Sequence, residues 1–252
     1  MHKILGLIPA RYSSSRLPGK PLRFIGNKPM IQHTFESASK SYFIDKLVVL
    51  TDDIRIQNAV KSFHGEVELT PENIQSGTDR CAYYAEEYPE FDIIVNIQCD
   101  EPFIPREVID DTIKPLLLLD DIEVATAGTF FKNLLDVNNP SFPKIVLDSQ
   151  GFAIYFSRSP IPYYQNETIK PEYIKHIGLY VYNRDTLLKI TKIPQSKLEK
   201  IENLEQLRMI ENGIKIKVEI VDYEPLSVDT EEDLIAANNY WTKISSSKLD
   251  SK

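Results

Sequence analysis

The chain has 252 residues, 42% hydrophobic and 26% charged, a composition that excludes disordered and fibrous classes and supplies enough length for one large core. Its formal net charge of −8 argues against a general nucleic-acid or membrane-surface binder, since such proteins work through a basic field; any anion must be held by a local cluster. Cys81 and Cys99 show no CxxC or Cys/His metal spacing, and no apolar run approaches the roughly 18 residues of a membrane helix, so the reading is a cytoplasmic protein with two reduced thiols.

Strands and helices alternate along the first half. "KILGLIP" reads as a buried strand, "PMIQHTFESASK" as a helix with Met30, Ile31, Phe35 and Ala38 on one face, and "KLVVLTDD" as a second strand. "IRIQNAVKSF" is a helix with Ile56, Ala59, Val60 and Phe63 inward, "EVELT" a third strand, "TDRCAYYAEEY" a helix capped by Thr78, and "FDIIVNIQ" a continuous apolar strand. Apolar strands without alternation, separated by helices, predict an α/β fold with a mostly parallel, doubly wound sheet covered on both faces.

From about Asn138 to residue 165 the pattern changes. "FPKIVLDSQGFAIYFSRSPIP" holds two strand-like runs around a turn at Asp148–Gly151, predicting a β-hairpin inserted into or beside the sheet. "KHIGLYVYNR" is a further strand, and the stripe Leu198, Ile201, Leu204, Leu207 with "NLEQLRMIENG" predicts a helix closed by Gly213. "IKIKVEIV" is a strand, and "TEEDLIAANNYW" a last helix with Thr230 at its cap. The expectation is one domain over 1–243 and a polar, fraying tail over 244–252.

In parallel sheets ligands bind at the carboxyl ends of the strands. Pro9-Ala10-Arg11, Thr51-Asp52-Asp53 and Gln98-Cys99-Asp100 end three apolar runs and fall on one rim if the topology is right. "GLIPARYSSSRLPGKPL" follows the first strand, where Arg11, Arg16 and Lys20 could wrap a polyphosphate with backbone N–H groups. It is not a Walker A loop, because Gly19-Lys20 is followed by Pro21; the competing reading is a solvated surface loop. Asp100 and Asp229 are hard oxygen ligands suited to Mg²⁺, although Asp229 taken alone reads better as a helix-start aspartate. Ser76, Gly77 and Arg80 in "IQSGTDR" read either as a polar loop with a cap or as a close approach to a base or sugar. Arg158, His176 and the Glu205-Gln206 pair have structural readings by default.

Taken together, "IPARYSSSRLPGKPL", "QSGTDR", "VNIQCDEP", "YFSRSPIP", "KHIGLYVY", "LEQLR" and "VDTEEDL" resemble, in order and spacing, the 3-deoxy-manno-octulosonate (Kdo) cytidylyltransferase family, from residue 3 to about 240. The first motif is shared with other sugar cytidylyltransferases, whereas "LPGKPL", "YFSRSPIP" and "LEQLR" are specific to the Kdo branch. The resemblance implies a nucleotide-diphospho-sugar transferase type of fold, a homodimer with the hairpin at its interface, and a reaction joining CTP to Kdo with release of pyrophosphate, for lipopolysaccharide biosynthesis. It further implies that Pro9, Ala10, Arg11, Ser14 and Lys20 hold the nucleotide and its phosphates, with Ser76, Gly77, Arg80 and Gln98. By the same resemblance Asp100 and Asp229 hold Mg²⁺, and Arg158, His176, Tyr180, Glu205 and Gln206 line the sugar site; Arg11, Lys20 and Asp100 are the catalytic set. The chain departs from the family pattern at Cys99, usually glycine, and at Ile74 and Pro143; none of these removes a charge. Two alternatives stay open here: an enzyme for the 8-amino-8-deoxy analogue of Kdo, and a catalytically silent nucleotide-binding homologue.

Overall fold

The computed structural model of the protein describes residues 2–14, 16–166 and 168–249. In chain order the elements are β1 (Ile4–Ala10), the short β2 (Phe24–Ile25) and β3 (Lys28–Pro29), α1 (Met30–Ala38), β4 (Lys46–Thr51), α2 (Ile54–Ser62), β5 (Val67–Leu69), α3 (Gly77–Glu86) and β6 (Ile93–Ile97). These are followed by α4 (Arg106–Leu118), β7 (Val124–Phe130), β8 (Lys144–Leu147), β9 (Ala153–Ser157), β10 (Ile174–Asn183), α5 (Arg184–Ile190), α6 (Lys197–Glu202), α7 (Leu207–Glu211), β11 (Lys217–Ile220) and α8 (Glu231–Leu249).

The main sheet runs β11-β7-β10-β6-β1-β4-β5. All its pairings are parallel except those of β10, which is antiparallel to both β6 and β7. The sheet is therefore mainly parallel, as the apolar runs predicted. Every residue of β1 is buried. Ile4, Ile8 and Ala10 feed one core and Leu5 and Leu7 the other, which is what a strand covered on both faces requires. β8 and β9 pair antiparallel, and β8 also pairs with β10.

A third, smaller core gathers Leu17, Ile25, Met30, Val228, Leu234 and Ala237, with Trp241 packed on it. It fastens the loop after β1 and the β2–β3 ribbon to α8, and so carries Lys20 towards Asp229. Gly26 has φ +61°, and a Cβ built there would lie 2.0 Å from Trp241 Nε1. Gly26→Ala is therefore expected to lower stability by roughly 2–4 kcal/mol, from the left-handed backbone and from forcing the indole out of its place. Urea unfolding measures this; an unchanged midpoint would show that Trp241 moves freely.

Four local expectations change. Ser76, not Thr78, caps α3: its hydroxyl accepts from Asp79 N at 3.0 Å, which leaves the Thr78 hydroxyl for Glu205. The stripe from Leu198 to Leu207 is not one helix, because Asn203 at φ +52° separates α6 from α7; Leu204 and Leu207 are buried while Ile201 is 68% exposed. α8 continues through 244–249, into the segment expected to be a polar tail; 250–252 lie outside the described residues. The sequence pattern also left 101–137 unassigned, where α4 carries an internal Pro115 and β7 is the small-residue run "VATAGTF".

Candidate functional site

The carboxyl ends of β1 and β6 open into a cavity of about 310 Å³, lined by Pro9, Arg11, Ser13, Ser14, Arg16, Lys20, Gly77, Gln98, Cys99, Asp100 and Asp229. The loop after β1 folds back on itself. Gly19 N donates to Tyr12 O at 3.2 Å, and Gly19 takes the left-handed conformation (φ +66°) that turns the chain into a single 3₁₀ turn starting at Lys20. The Arg55 guanidinium stacks 3.3 Å from the Tyr12 ring centroid and is itself held by Asp53, the cap of α2.

Lys20 Nζ donates to Asp100 Oδ2 at 2.5 Å and to Asp229 Oδ1 at 3.0 Å, and Arg16 Nη2 stands 3.0 Å from Asp229 Oδ1. Burial alone would lower the Lys20 pKa, but the carboxylates of Asp100 and Asp229 outweigh it, so the net shift is upward and Lys20 stays an ammonium. The acidic pair is assembled from distant parts of the chain by backbone ties. Val228 N donates to Asp100 O at 2.9 Å, Thr34 Oγ1 donates to Cys99 O at 2.9 Å, and the Ser227 hydroxyl donates to the buried Glu101 carboxylate. Among the described residues no third His, Cys, Asp or Glu joins Asp100 and Asp229 as a metal cluster. Two carboxylates beside a polar cavity match Mg²⁺, which takes one or two carboxylates and completes its shell with water and phosphate oxygens. Burial pushes the Cys99 thiol up to about 12, so it is a neutral wall of the cavity. Both cysteines are free.

A second cavity of about 480 Å³ is lined by Ser76 and Glu205 among others. Glu205 accepts from Ser76 Oγ at 3.1 Å and Thr78 Oγ1 at 2.8 Å; burial raises its pKa more than these hydroxyls lower it. Nearby, Asn96 and Tyr180 are partners across β6 and β10, and Gln98 Nε2 donates to Asn96 Oδ1 at 3.2 Å. Asn96 Nδ2, Tyr180 Oη and Gln206 Nε2 are buried with no hydrogen-bond partner among the described residues. Unpaired buried polar atoms are costly, and none of these three residues lines either cavity.

His176 lies with its ring between Phe156 and Tyr180, at centroid distances of 5.2 and 5.4 Å, and its Nε2 is 3.0 Å from Thr126 Oγ1. Part of the residue reaches the surface, but burial of the ring lowers its pKa to about 3. The unfolded chain, with an ordinary histidine pKa near 6.5, then binds a proton that the native state refuses. Stability is accordingly expected to fall as pH drops below about 6.5, by at most ~1.4 kcal/mol per unit, with the slope persisting towards pH 3. His176→Gln should reduce that slope in urea titrations at a series of pH values, leaving the share of the buried His33, whose pKa is also lowered by burial; an identical slope would assign the acid sensitivity elsewhere.

The structure thus gathers Pro9, Arg11, Ser14, Lys20, Gly77, Gln98, Asp100 and Asp229 around the first cavity, and Ser76 with Glu205 around the second. Six expected contact residues line neither cavity: Ala10, Arg80, Arg158, His176, Tyr180 and Gln206. Arg80 is fully buried behind the first cavity, paired with Asp52, and does not reach its surface. Arg158 lines neither cavity: its guanidinium donates to Glu202 O, Pro140 O and Asn203 O at 2.7, 2.8 and 3.1 Å. Ala10 is wholly buried, and Tyr180 and Gln206 are nearly so. Thr78, which holds Glu205, was missed, because a residue at the start of a helix reads first as a cap.

A family model described as Cytidylyltransferase matches residues 5–216. The chain is 46% identical over 244 residues to the 3-deoxy-manno-octulosonate cytidylyltransferase of Parabacteroides distasonis, covering 93% of this chain and 96% of that protein. To the protein of the same name from Solibacter usitatus it is 45% identical, covering 92% of each. A solved structure of a CMP:2-keto-3-deoxy-manno-octonic acid synthetase complexed with CTP superposes with a TM-score of 0.91 at 38% identity, covering 96% of this chain and 99% of that one.

Proposed function

This chain belongs to the 3-deoxy-manno-octulosonate cytidylyltransferase family, and from that membership we propose that it joins CTP to Kdo, giving CMP-Kdo and pyrophosphate. The observation that carries the reading within this molecule is the meeting of Arg11, Arg16 and Lys20 with Asp100 and Asp229 around one cavity at the strand ends. A catalytically silent homologue would be expected to have lost Lys20, Asp100 or Asp229, and all three are present.

In the reaction the anomeric hydroxyl oxygen of Kdo bonds to the α-phosphorus of CTP while the bond from that phosphorus to the bridging oxygen breaks; the hydroxyl proton is released and pyrophosphate departs. Little covalent work falls to the protein, so catalysis is positioning plus neutralisation of charge. Lys20 and Arg11 hold the phosphates and stabilise the leaving pyrophosphate. Gly77 and Gln98 border the nucleotide, together with Pro9, Ser14 and Ser76, while the buried Ala10 backs them. Asp100 and Asp229 would hold Mg²⁺, which when bound neutralises phosphate charge and acidifies the attacking hydroxyl. Glu205 and Gln206 are assigned to the sugar with Tyr180, His176 and Arg158; the place of Glu205 in the wall of the second cavity supports this, and Arg158 would exchange backbone carbonyls for the Kdo carboxylate. His176 contributes as a neutral ring.

We place the enzyme in the cytoplasm, as a homodimer meeting through the β8–β9 region, serving lipopolysaccharide assembly. The exposed Ile154 on β9 and the nearby Tyr163 and Ile169 support an interface there, and no described helix is long and apolar enough to cross a membrane. The test is pyrophosphate release with Mg²⁺ and CTP, comparing Kdo, its 8-amino-8-deoxy analogue and sialic acid. Preference for Kdo is expected; preference for the amino analogue would move the substrate, and no release with any acceptor would end the enzymatic reading.

A further inference from the structure

Two carboxylates end β4 beside the cavity, Asp52 and Asp53, yet neither lines it. Asp53 is accounted for by the cap of α2 and by Arg55. Asp52 points the other way. Its Oδ2 accepts from Arg80 Nη2 at 2.8 Å, and the Arg80 side chain has no exposed surface at all. Arg80 Nη1 donates to Thr70 Oγ1 and lies 3.5 Å from Pro71 O. Thr70 is in turn tied to the end of β4, its N–H and its hydroxyl both donating to Thr51 O at 2.8 and 3.1 Å. Arg80 N donates to Ser76 O at 3.2 Å.

One guanidinium therefore joins three things: the carboxyl end of β4, the beginning of the connection from β5, and the first turn of α3. The far part of that connection is held by Arg11, whose Nη2 donates to Ile74 O. Between these two arginines the chain delivers Ser76 and Gly77 to the cavities. The approach is close, since a Cβ on Gly77 would stand 3.2 Å from Pro9 Cγ and 4.0 Å from Gln98 Oε1. Burying an ion pair is a poor way to gain stability, because well-packed apolar residues often do as well. An Arg–Asp pair does something they cannot: its directed hydrogen bonds fix where a backbone segment sits.

We propose that Asp52 and Arg80 are a positioning pair for the nucleotide: Arg80 does not touch CTP but, through Asp52 and Thr70, sets the height of the 70–77 segment so that Ser76 and Gly77 meet it. This rests on the reading of the cavity as the CTP site. The experiment is calorimetric titration of CTP into the wild-type chain, Asp52→Asn, Arg80→Met and the double variant, with KM for CTP and for Kdo measured alongside. Each single variant is expected to weaken CTP binding by about 10- to 100-fold, with KM for CTP rising more than KM for Kdo, since Ser76 reaches Kdo only through Glu205. The double variant should be no worse than the weaker single one, because both act through one contact. Thr70→Val, which keeps the volume, should shift CTP binding in the same direction and covers the case in which Arg80→Met does not fold.

Loss of binding in Arg80→Met with full binding in Asp52→Asn would mean that Arg80 contacts the nucleotide itself, and would overturn the proposal. So would lowered melting temperatures in Asp52→Asn and Thr70→Val with undiminished CTP binding, which would make the pair merely structural. A wild-type chain that bound no CTP would overturn both this and the reading of the cavity, whereas wild-type binding with unaltered variants overturns this alone.

Discussion

Asp100→Asn is expected to reduce turnover of CTP and Kdo by about 10²–10³-fold. The amide has nearly the shape of the carboxylate, so the tie from Val228 N to Asp100 O and the loop itself should persist, and the loss is one of charge. Asp100 stands 2.5 Å from the Lys20 ammonium and, among the described residues, is one of two carboxylates lining the cavity. Where catalysis is positioning and charge neutralisation, losing a metal-holding charge falls mainly on kcat. The Mg²⁺ concentration for half-maximal rate should rise as well, since the remaining site has Asp229 alone. Steady-state kinetics over a range of Mg²⁺ concentrations, with urea unfolding as control, measures both. Wild-type turnover with unaltered Mg²⁺ dependence would remove Asp100 from the metal site.

The parts of this molecule legible in its sequence are those where a local pattern has one physical solution. β1 is seven apolar or small residues whose alternate side chains enter two different cores, and "FDIIVNIQ" is read the same way. The rim followed directly, because strand direction decides which loops share an end of the sheet. What local pattern could not decide was direction and distance. Nothing in the spacing of "IQSGTDR" says whether Arg80 faces into the cavity or behind its wall, and it lies behind, because Asp52 from another strand claims it. Asp229 lies far along the chain from Asp100 and becomes its neighbour only through the Val228 tie and the small core around Trp241. The apolar stripe from Leu198 to Leu207 had helical spacing, but the left-handed Asn203 lets the chain break and turn Leu204 and Leu207 inward while Ile201 stays in water. For such residues the family resemblance supplied a role, and long-range contacts supplied the geometry against which that role is judged.

Lys20→Met is the other substitution with a large expected effect, and it separates two functions of one ammonium. Towards the substrate Lys20 is proposed as a preorganised cation for the triphosphate, so its loss should raise KM for CTP and lower kcat by about 10²–10³-fold. Lys20→Arg should not restore this: the side chain is 14% exposed, and a planar fork cannot take the place of a compact point charge between two carboxylates. Towards the protein Lys20 is the shared counter-ion of Asp100 and Asp229, whose attraction holds its pKa up despite burial. Without it the two carboxylates face one another with only Arg16 near Asp229, and the chain without metal should be somewhat less stable. Mg²⁺ alone, without nucleotide, should then raise the melting temperature of Lys20→Met more than that of the wild type, because in the wild type the ion competes with the ammonium for the same oxygens. Equal Mg²⁺ shifts in the two proteins would mean that Lys20 and the metal do not share those carboxylates, and unchanged CTP kinetics would mean that the ammonium serves the protein rather than the phosphates.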